Sequence, residues 1–169
     1  GQACLLAILA GANLTAIAND MVVLFLALEL VSIPTYVLLY LPRRGEANQE
    51  ASIKYMLLSI FSSAIALYGM SLLYGATGTL DYEGLAEGLR GTDLPGSVVA
   101  VAVVLTLIGL LFKLGAVPFH VWIPDAYAGA PVMVASFLSS VSKAASLGAL
   151  VTLLSSALLG ERDAWSLLL

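Results

Sequence analysis

Glu29, Lys113 and Lys143 are ionisable residues set deep in apolar runs, and the chemistry open to such groups is proton exchange. A desolvated ammonium can release its proton, and a facing carboxylate opposes that release, whereas a guanidinium effectively never titrates. The chain sorts its cations along this line. All three lysines, Lys54, Lys113 and Lys143, lie in hydrophobic stretches, while Arg43, Arg44, Arg90 and Arg162 lie in the polar gaps. A carboxylate placed like Glu29 is costly in lipid unless it is paired, protonated or hydrated.

Prolines follow two of these groups at the same spacing. Pro34 comes five residues after Glu29 and Pro118 five after Lys113. Each proline removes an amide donor, so a bend is expected beside Glu29 with the Leu30 carbonyl freed, and a break after Lys113 with the Leu114 carbonyl freed. Gly115 weakens the helix between Lys113 and Pro118. The stretch FKLGAVPFHVWIPDAYAGAPV (Phe112–Val132), with Pro118, Pro124 and Pro131, predicts a broken helix, a short second piece and a turn into the next span. Transporters use such discontinuous helices to set backbone dipoles around an ion. The plainer alternative is a simple kink at Pro118 and a snorkelling Lys113.

The remaining polar residues have two readings each. Lys143 lies in SSVSKAAS (Ser139–Ser146), whose Ser139, Ser140, Ser142 and Ser146 allow close helix packing or hold water. Lys54 follows Glu50 by four residues, which suits either an interfacial, snorkelling salt bridge or a proton carrier. His120 is a proton shuttle or a cap of the broken helix. Asp125 is its relay partner or a helix cap. A metal pair of the two is disfavoured, because no third ligand is spaced nearby. Trp122 and Tyr127 suit an interfacial aromatic belt.

Composition decides what must position these groups. The chain is 60% apolar and 11% charged, with a mean hydropathy of +1.00, against about a quarter charged in a water-soluble domain. The expected fold is an all-α bundle of transmembrane helices, since open strands leave their backbone unsatisfied in lipid. Five spans are expected, at about 2–18, 21–41, 51–76, 97–127 (broken near 113–118) and 131–159. Arg43 and Arg44 place loop 42–50 in the cytoplasm by the positive-inside rule, with the acidic stretch 77–96 opposite. The lone Cys4 gives neither an internal disulfide nor metal-ligand spacing. No basic run suits nucleic acid, and phosphate loops, nucleophile elbows and CxxC pairs are missing. Because the chain starts at Gly1 inside an apolar run and ends in Leu167–Leu169, it reads as an internal fragment of a longer polytopic protein.

ELVSIPTYVLLYLPRR (Glu29–Arg44), EASIKYMLLSIFSSAIALYGMSLLYGATG (Glu50–Gly78), the Phe112–Val132 stretch and SSVSKAAS together resemble the antiporter-like membrane subunits of respiratory complex I, the NADH:quinone oxidoreductase, and within them the chain N type. The resemblance implies about fourteen helices in two inverted five-helix units, of which this chain would supply the first. It implies that Glu29, Lys54, Lys113 and Lys143 match the family's acid of the fifth helix and lysines of the sixth, seventh and eighth, with His120 and Asp125 in the loop motif. The implied function is proton translocation through a half-channel in a translocase subunit. No cofactor or metal is expected in this chain; NADH, FMN, iron–sulfur clusters and quinone belong to other subunits. The implied partners are other complex I membrane subunits, including antiporter-like paralogues, and lipid, in a bacterial inner membrane. Two other readings remain: a subunit of a multisubunit sodium/proton antiporter or membrane hydrogenase, and a structural membrane scaffold without transport.

Overall fold

The computed structural model describes residues 1–40, 46–158 and 160, with the backbone alone for 46–48. Arg43 and Arg44, on which the orientation of loop 42–50 rests, and the polar boundary at Glu161, Arg162 and Asp163 lie outside these residues. Among the described residues the fold is all helix. The elements are α1 (Gln2–Ile17), α2 (Met21–Tyr40), α3 (Glu46–Thr77), α4 (Tyr82–Gly91), α5 (Gly96–Leu114), α6 (Ile123–Gly129), α7 (Val132–Phe137), a π-turn (Leu138–Ser142) and α8 (Lys143–Ser156). Met21–Tyr40, Gln49–Thr77, Gly96–Leu114 and the continuous Val132–Ser156 are long and apolar enough to cross a bilayer. At 16 residues, α1 is shorter.

The helices α3 and α5 pack closely through small residues. A Cβ added to Gly109 would stand 2.5 Å from Ala66 Cβ, and one on Gly69 2.5 Å from the Thr106 amide nitrogen. Small residues at such crossings let two backbones pack directly, which is how helices gain contact where lipid removes the hydrophobic drive. Around this seam Met21, Leu24, Leu28, Leu73, Val103, Leu107 and Leu153 form the largest apolar core. Large side chains such as Leu6, Ile17, Phe61, Val132 and Met133 face outward, as a surface wetted by lipid or other helices permits.

The acidic stretch 77–96 is not simply a loop: it holds α4. Tyr82, Leu85 and Leu89 recur at helical spacing and are buried, while Glu83, Glu87 and Arg90 face out. Asp81 caps the helix by accepting from the Gly84 amide at 2.7 Å. Two backbone bonds, Met21 N–H to Leu80 O and Tyr82 N–H to Asn19 O, both 3.0 Å, tie this segment to the α1–α2 turn.

Pro34 lies inside α2, and the helix continues through it to Tyr40. The helix α5 is interrupted within the expected stretch 113–118. The break after Lys113 is made by Gly115, ahead of Pro118. Gly115 takes a left-handed φ of +76°, and its N–H donates to Leu111 O (2.9 Å) and Phe112 O (3.0 Å). That is a glycine C-cap, in which the residue without a Cβ reverses the chain and satisfies the last carbonyls. Turns then carry the chain past an exposed Pro118 to α6, whose first turn holds Pro124.

Candidate functional site

Glu29 on α2 and Lys113 in the last turn of α5 meet inside the bundle. Lys113 Nζ lies 2.9 Å from Glu29 Oε1, with side-chain exposures of 8% and 19%. The ammonium also donates to Ser32 Oγ at 2.8 Å, and Ser63 Oγ on α3 donates to Glu29 Oε1 at 2.7 Å. Three helices therefore build the pair. Isolated, either charge would carry a large desolvation cost; facing each other with hydroxyl partners, both are tolerated. Because Glu29 and Ser32 are three residues apart on α2, they present a carboxylate and a hydroxyl to one ammonium from a single helix face.

Lys143 approaches the same break from α8. A Cβ on Gly115 would stand 3.4 Å from Lys143 Nζ, so the ammonium rests against the C-terminal end of α5, two residues beyond Lys113. The negative end of a helix dipole favours a cation there. No ion pair joins Lys143 to any other described residue. The π-turn directly precedes it, an irregularity that recurs at functional sites in helices. Ser139 and Ser140 donate back to Ser136 O, and Ser146 to Ser142 O. Their protons are thus engaged by their own helix, which leaves hydroxyl lone pairs as their free capacity.

A second ionic group lies at the rim. Lys54 Nζ is 2.8 Å from Glu50 Oε1 and 3.6 Å from Asp125 Oδ2, with all three side chains more than half exposed. Asp125 thereby links α6 to α3 while standing in the first turn of α6. The three side chains line a cavity of about 250 Å³ with Ala51, Ala128 and Gly129. The His120 imidazole is exposed and makes no hydrogen bond or ion pair among the described residues; its backbone carbonyl accepts the first amide of α6 at 3.0 Å. Among these residues no three His, Cys, Asp or Glu side chains converge as a metal site would require.

Trp122 does not stand in an interfacial belt. It is 3% exposed, stacks on Tyr55 at 4.5 Å between ring centroids, and donates its indole N–H to Phe112 O at 2.9 Å. The indole therefore braces the broken end of α5, satisfying a carbonyl one residue before Lys113. Pro131 opens α7 as its N-cap.

Four polar residues of this region escape attention in the sequence: Ser32, Tyr36, Ser59 and Ser63. A signal was present. On α3, Ser52, Tyr55, Ser59, Ser62, Ser63 and Ala66 recur at helical spacing and are all buried, a polar stripe on an otherwise apolar span.

The comparisons with known proteins agree with this fold. Residues 18–169 match the family described as NADH:quinone oxidoreductase/Mrp antiporter, TM. NADH-quinone oxidoreductase subunit N of Mycobacterium tuberculosis (strain ATCC 25618 / H37Rv) is 47% identical over 150 residues, 88% of this chain and 28% of that protein. The subunit N of Rhodococcus opacus is 45% identical over the same shares. The chain thus spans less than a third of the length of these curated relatives. A chain of respiratory complex I from Thermus thermophilus superposes with a TM-score of 0.77 at 37% identity, over 88% of this chain and 32% of that one. A chain of the Mrp complex from Dietzia sp. DQ12-45-1b superposes with a TM-score of 0.82 at 28% identity, over 94% and 29%. With its apolar spanning helices and a family match over most of its length, this chain is an integral membrane protein and belongs to the NADH:quinone oxidoreductase/Mrp antiporter transmembrane family.

Proposed function

We propose that this chain is the first proton-translocating unit of a subunit N-type membrane subunit of a proton-pumping NADH:quinone oxidoreductase. The observation that carries the proposal is the buried Lys113–Glu29 pair at 2.9 Å. On a buried ammonium, desolvation and a facing carboxylate act in opposite senses, and each pK unit is worth about 1.4 kcal/mol. Moving the carboxylate away by a few ångströms therefore changes whether Lys113 holds or releases its proton. Lys143, at the other side of the Gly115 cap, is the next carrier. The Lys54–Asp125 group and His120 stand on the loop side, where protons are exchanged with water. Loop 42–50 faces the cytoplasm of a bacterial cell, and antiporter-like paralogues flank the subunit. The drive comes from quinone reduction in other subunits, which hold NADH, FMN and the iron–sulfur clusters.

The test uses the whole subunit in its assembled complex, reconstituted in vesicles. Glu29→Ala and Lys113→Ala are each expected to depress proton uptake during NADH oxidation. Normal pumping by both variants would refute the role given to the pair.

The structural likeness to the Mrp complex supports a second reading, a sodium/proton antiporter subunit. It requires that transport depend on sodium. Pumping unchanged when potassium replaces sodium excludes it.

A further inference from the structure

Beyond the ion pair, buried hydroxyls continue along the α2–α3 interface. Lys113 Nζ donates to Ser32 Oγ at 2.8 Å. The Ser32 hydroxyl donates in turn to Leu28 O at 2.8 Å, and Tyr36 follows it one turn on along α2. Tyr36 Oη donates to Ser59 Oγ on α3 at 2.6 Å. From the other member of the pair, Glu29 Oε1 accepts from Ser63 Oγ at 2.7 Å, and Ser63 stands one turn from Ser59. Polar groups thus flank the pair on both helices, Ser32 and Tyr36 on α2 and Ser63 and Ser59 on α3. Ser32, Ser59, Ser62 and Ser63 are 4%, 1%, 3% and 7% exposed. Ser62 Oγ is buried without a hydrogen-bond partner among the described residues.

Close packing accounts for small side chains at this seam, but not for a phenol and hydroxyls set in a row. A buried hydroxyl costs free energy unless bonded and contributes little when it is, so an alanine stripe would serve a membrane seam as well. What a row of hydroxyls offers is a path: each accepts one proton while giving up another. Both helices step in the same direction from the pair. Tyr36 is seven residues beyond Glu29, about 10 Å along α2, and Ser59 lies four residues before Ser63 on α3. The row thus runs toward the side where α2 ends and α3 begins.

We propose that Tyr36 and Ser59 are proton-relay residues connecting the Lys113–Glu29 pair to the membrane side at which α2 ends and α3 begins. The inference rests on the function proposed above for that pair. In the releasing direction, an N–H bond of Lys113 breaks and its proton bonds to Ser32 Oγ. The Ser32 hydroxyl turns its own proton away from Leu28 O and passes it to Tyr36 Oη, the Tyr36 proton goes to Ser59 Oγ, and the Ser59 proton to water. Lys113 is left as the amine, each hydroxyl keeps one proton, and one hydronium forms at the far end. Loading runs the same shifts in reverse.

The experiment again uses the whole subunit in its assembled, reconstituted complex, with pumping expressed per assembled complex. Tyr36→Phe and Ser59→Val are expected to lower pumping several-fold and to raise its solvent isotope effect. Ser59→Thr, which has nearly the shape of the valine variant and restores the hydroxyl, is expected to pump like the parent. A merely structural serine would respond to the added volume, so threonine and valine would be impaired alike and the isotope effect would not change; that result overturns the relay. Parent-like pumping by Tyr36→Phe and Ser59→Val overturns it too. Lys113→Met, run in parallel, separates the two levels. If it pumps normally, the reading of the pair fails; if it is silent while Tyr36→Phe and Ser59→Val pump normally, only the relay falls.

Discussion

Among the described residues, two lysine–glutamate pairs of nearly equal length stand in two different settings. Lys113 and Glu29 meet at 2.9 Å with 8% and 19% of their side chains exposed; Lys54 and Glu50 meet at 2.8 Å with 52% and 64% exposed. The interior pair joins residues 84 apart in sequence and is completed by serines from two helices. The rim pair is a local i,i+4 contact on one helix with a more distant third partner, Asp125. Distance alone therefore does not distinguish them. Dielectric and the freedom to find another partner do: a rim ammonium that loses its carboxylate turns to water, and an interior one has no such recourse.

The largest effect is expected from breaking the interior pair on one side. Lys113→Leu leaves Glu29 buried and unpaired, and the loss of stability should be about 3–5 kcal/mol, seen as a lower unfolding temperature in detergent and reduced assembly. Replacing both residues, Glu29→Leu with Lys113→Leu, removes the uncompensated charge. Stability should return while pumping stays absent. A double variant that pumps would mean that the pair is a scaffold bridge, and the contrast with the rim would then be one of packing alone.

Lys113→Arg is the next cut. Arginine keeps the charge and the carboxylate partner but cannot give up a proton at any accessible pH. Assembly is expected close to the parent's and proton uptake near zero. At the rim, Lys54→Gln should change little: exposed pairs of this kind contribute little and are screened by salt. The expected signature is a modest fall in pumping at low ionic strength that disappears at high ionic strength. A loss as deep as that of Lys113→Arg would place Lys54 with the carriers and erase the difference drawn between the two sites.

What could be read in the sequence follows the same division. The all-α membrane architecture was legible because hydropathy acts residue by residue and lipid allows few alternatives. Lysines and a glutamate inside apolar runs were legible as candidates for the same reason. Their partners were harder. Ser32 and Ser63 act through contacts between α2, α5 and α3, and nothing local marks one buried serine among several, although the helical spacing of the α3 stripe was there to be read. A break within 113–118 is legible from Gly115 and Pro118 together, but the left-handed φ by which Gly115 makes it is not. The amphipathic character of Trp122 points to a belt; burial against Tyr55 and a bond to Phe112 O depend on a chain reversal that composition does not specify. The π-turn before Lys143 has no sequence signature that we recognise.

The smallest expected effect lies outside the spans altogether, at Asp81. This carboxylate is exposed and pairs with no cation among the described residues. The Thr79 hydroxyl and then the Gly84 amide donate to it and hold its pKa below the ordinary aspartate range. A depressed folded-state value means that the contribution to stability is complete above the ordinary aspartate pKa, about 4, and is lost as pH falls through the folded value. Hydrogen exchange at the Gly84 and Leu85 amides should therefore accelerate, relative to the chemical rate, only in that acid window. Asp81→Asn supplies a capping oxygen that does not titrate, and is expected to retain α4 while abolishing the acceleration. If the asparagine variant showed the same acid response, the carboxylate would not be its source, and the series of ionic sites graded from bundle interior to water would lose its outermost member.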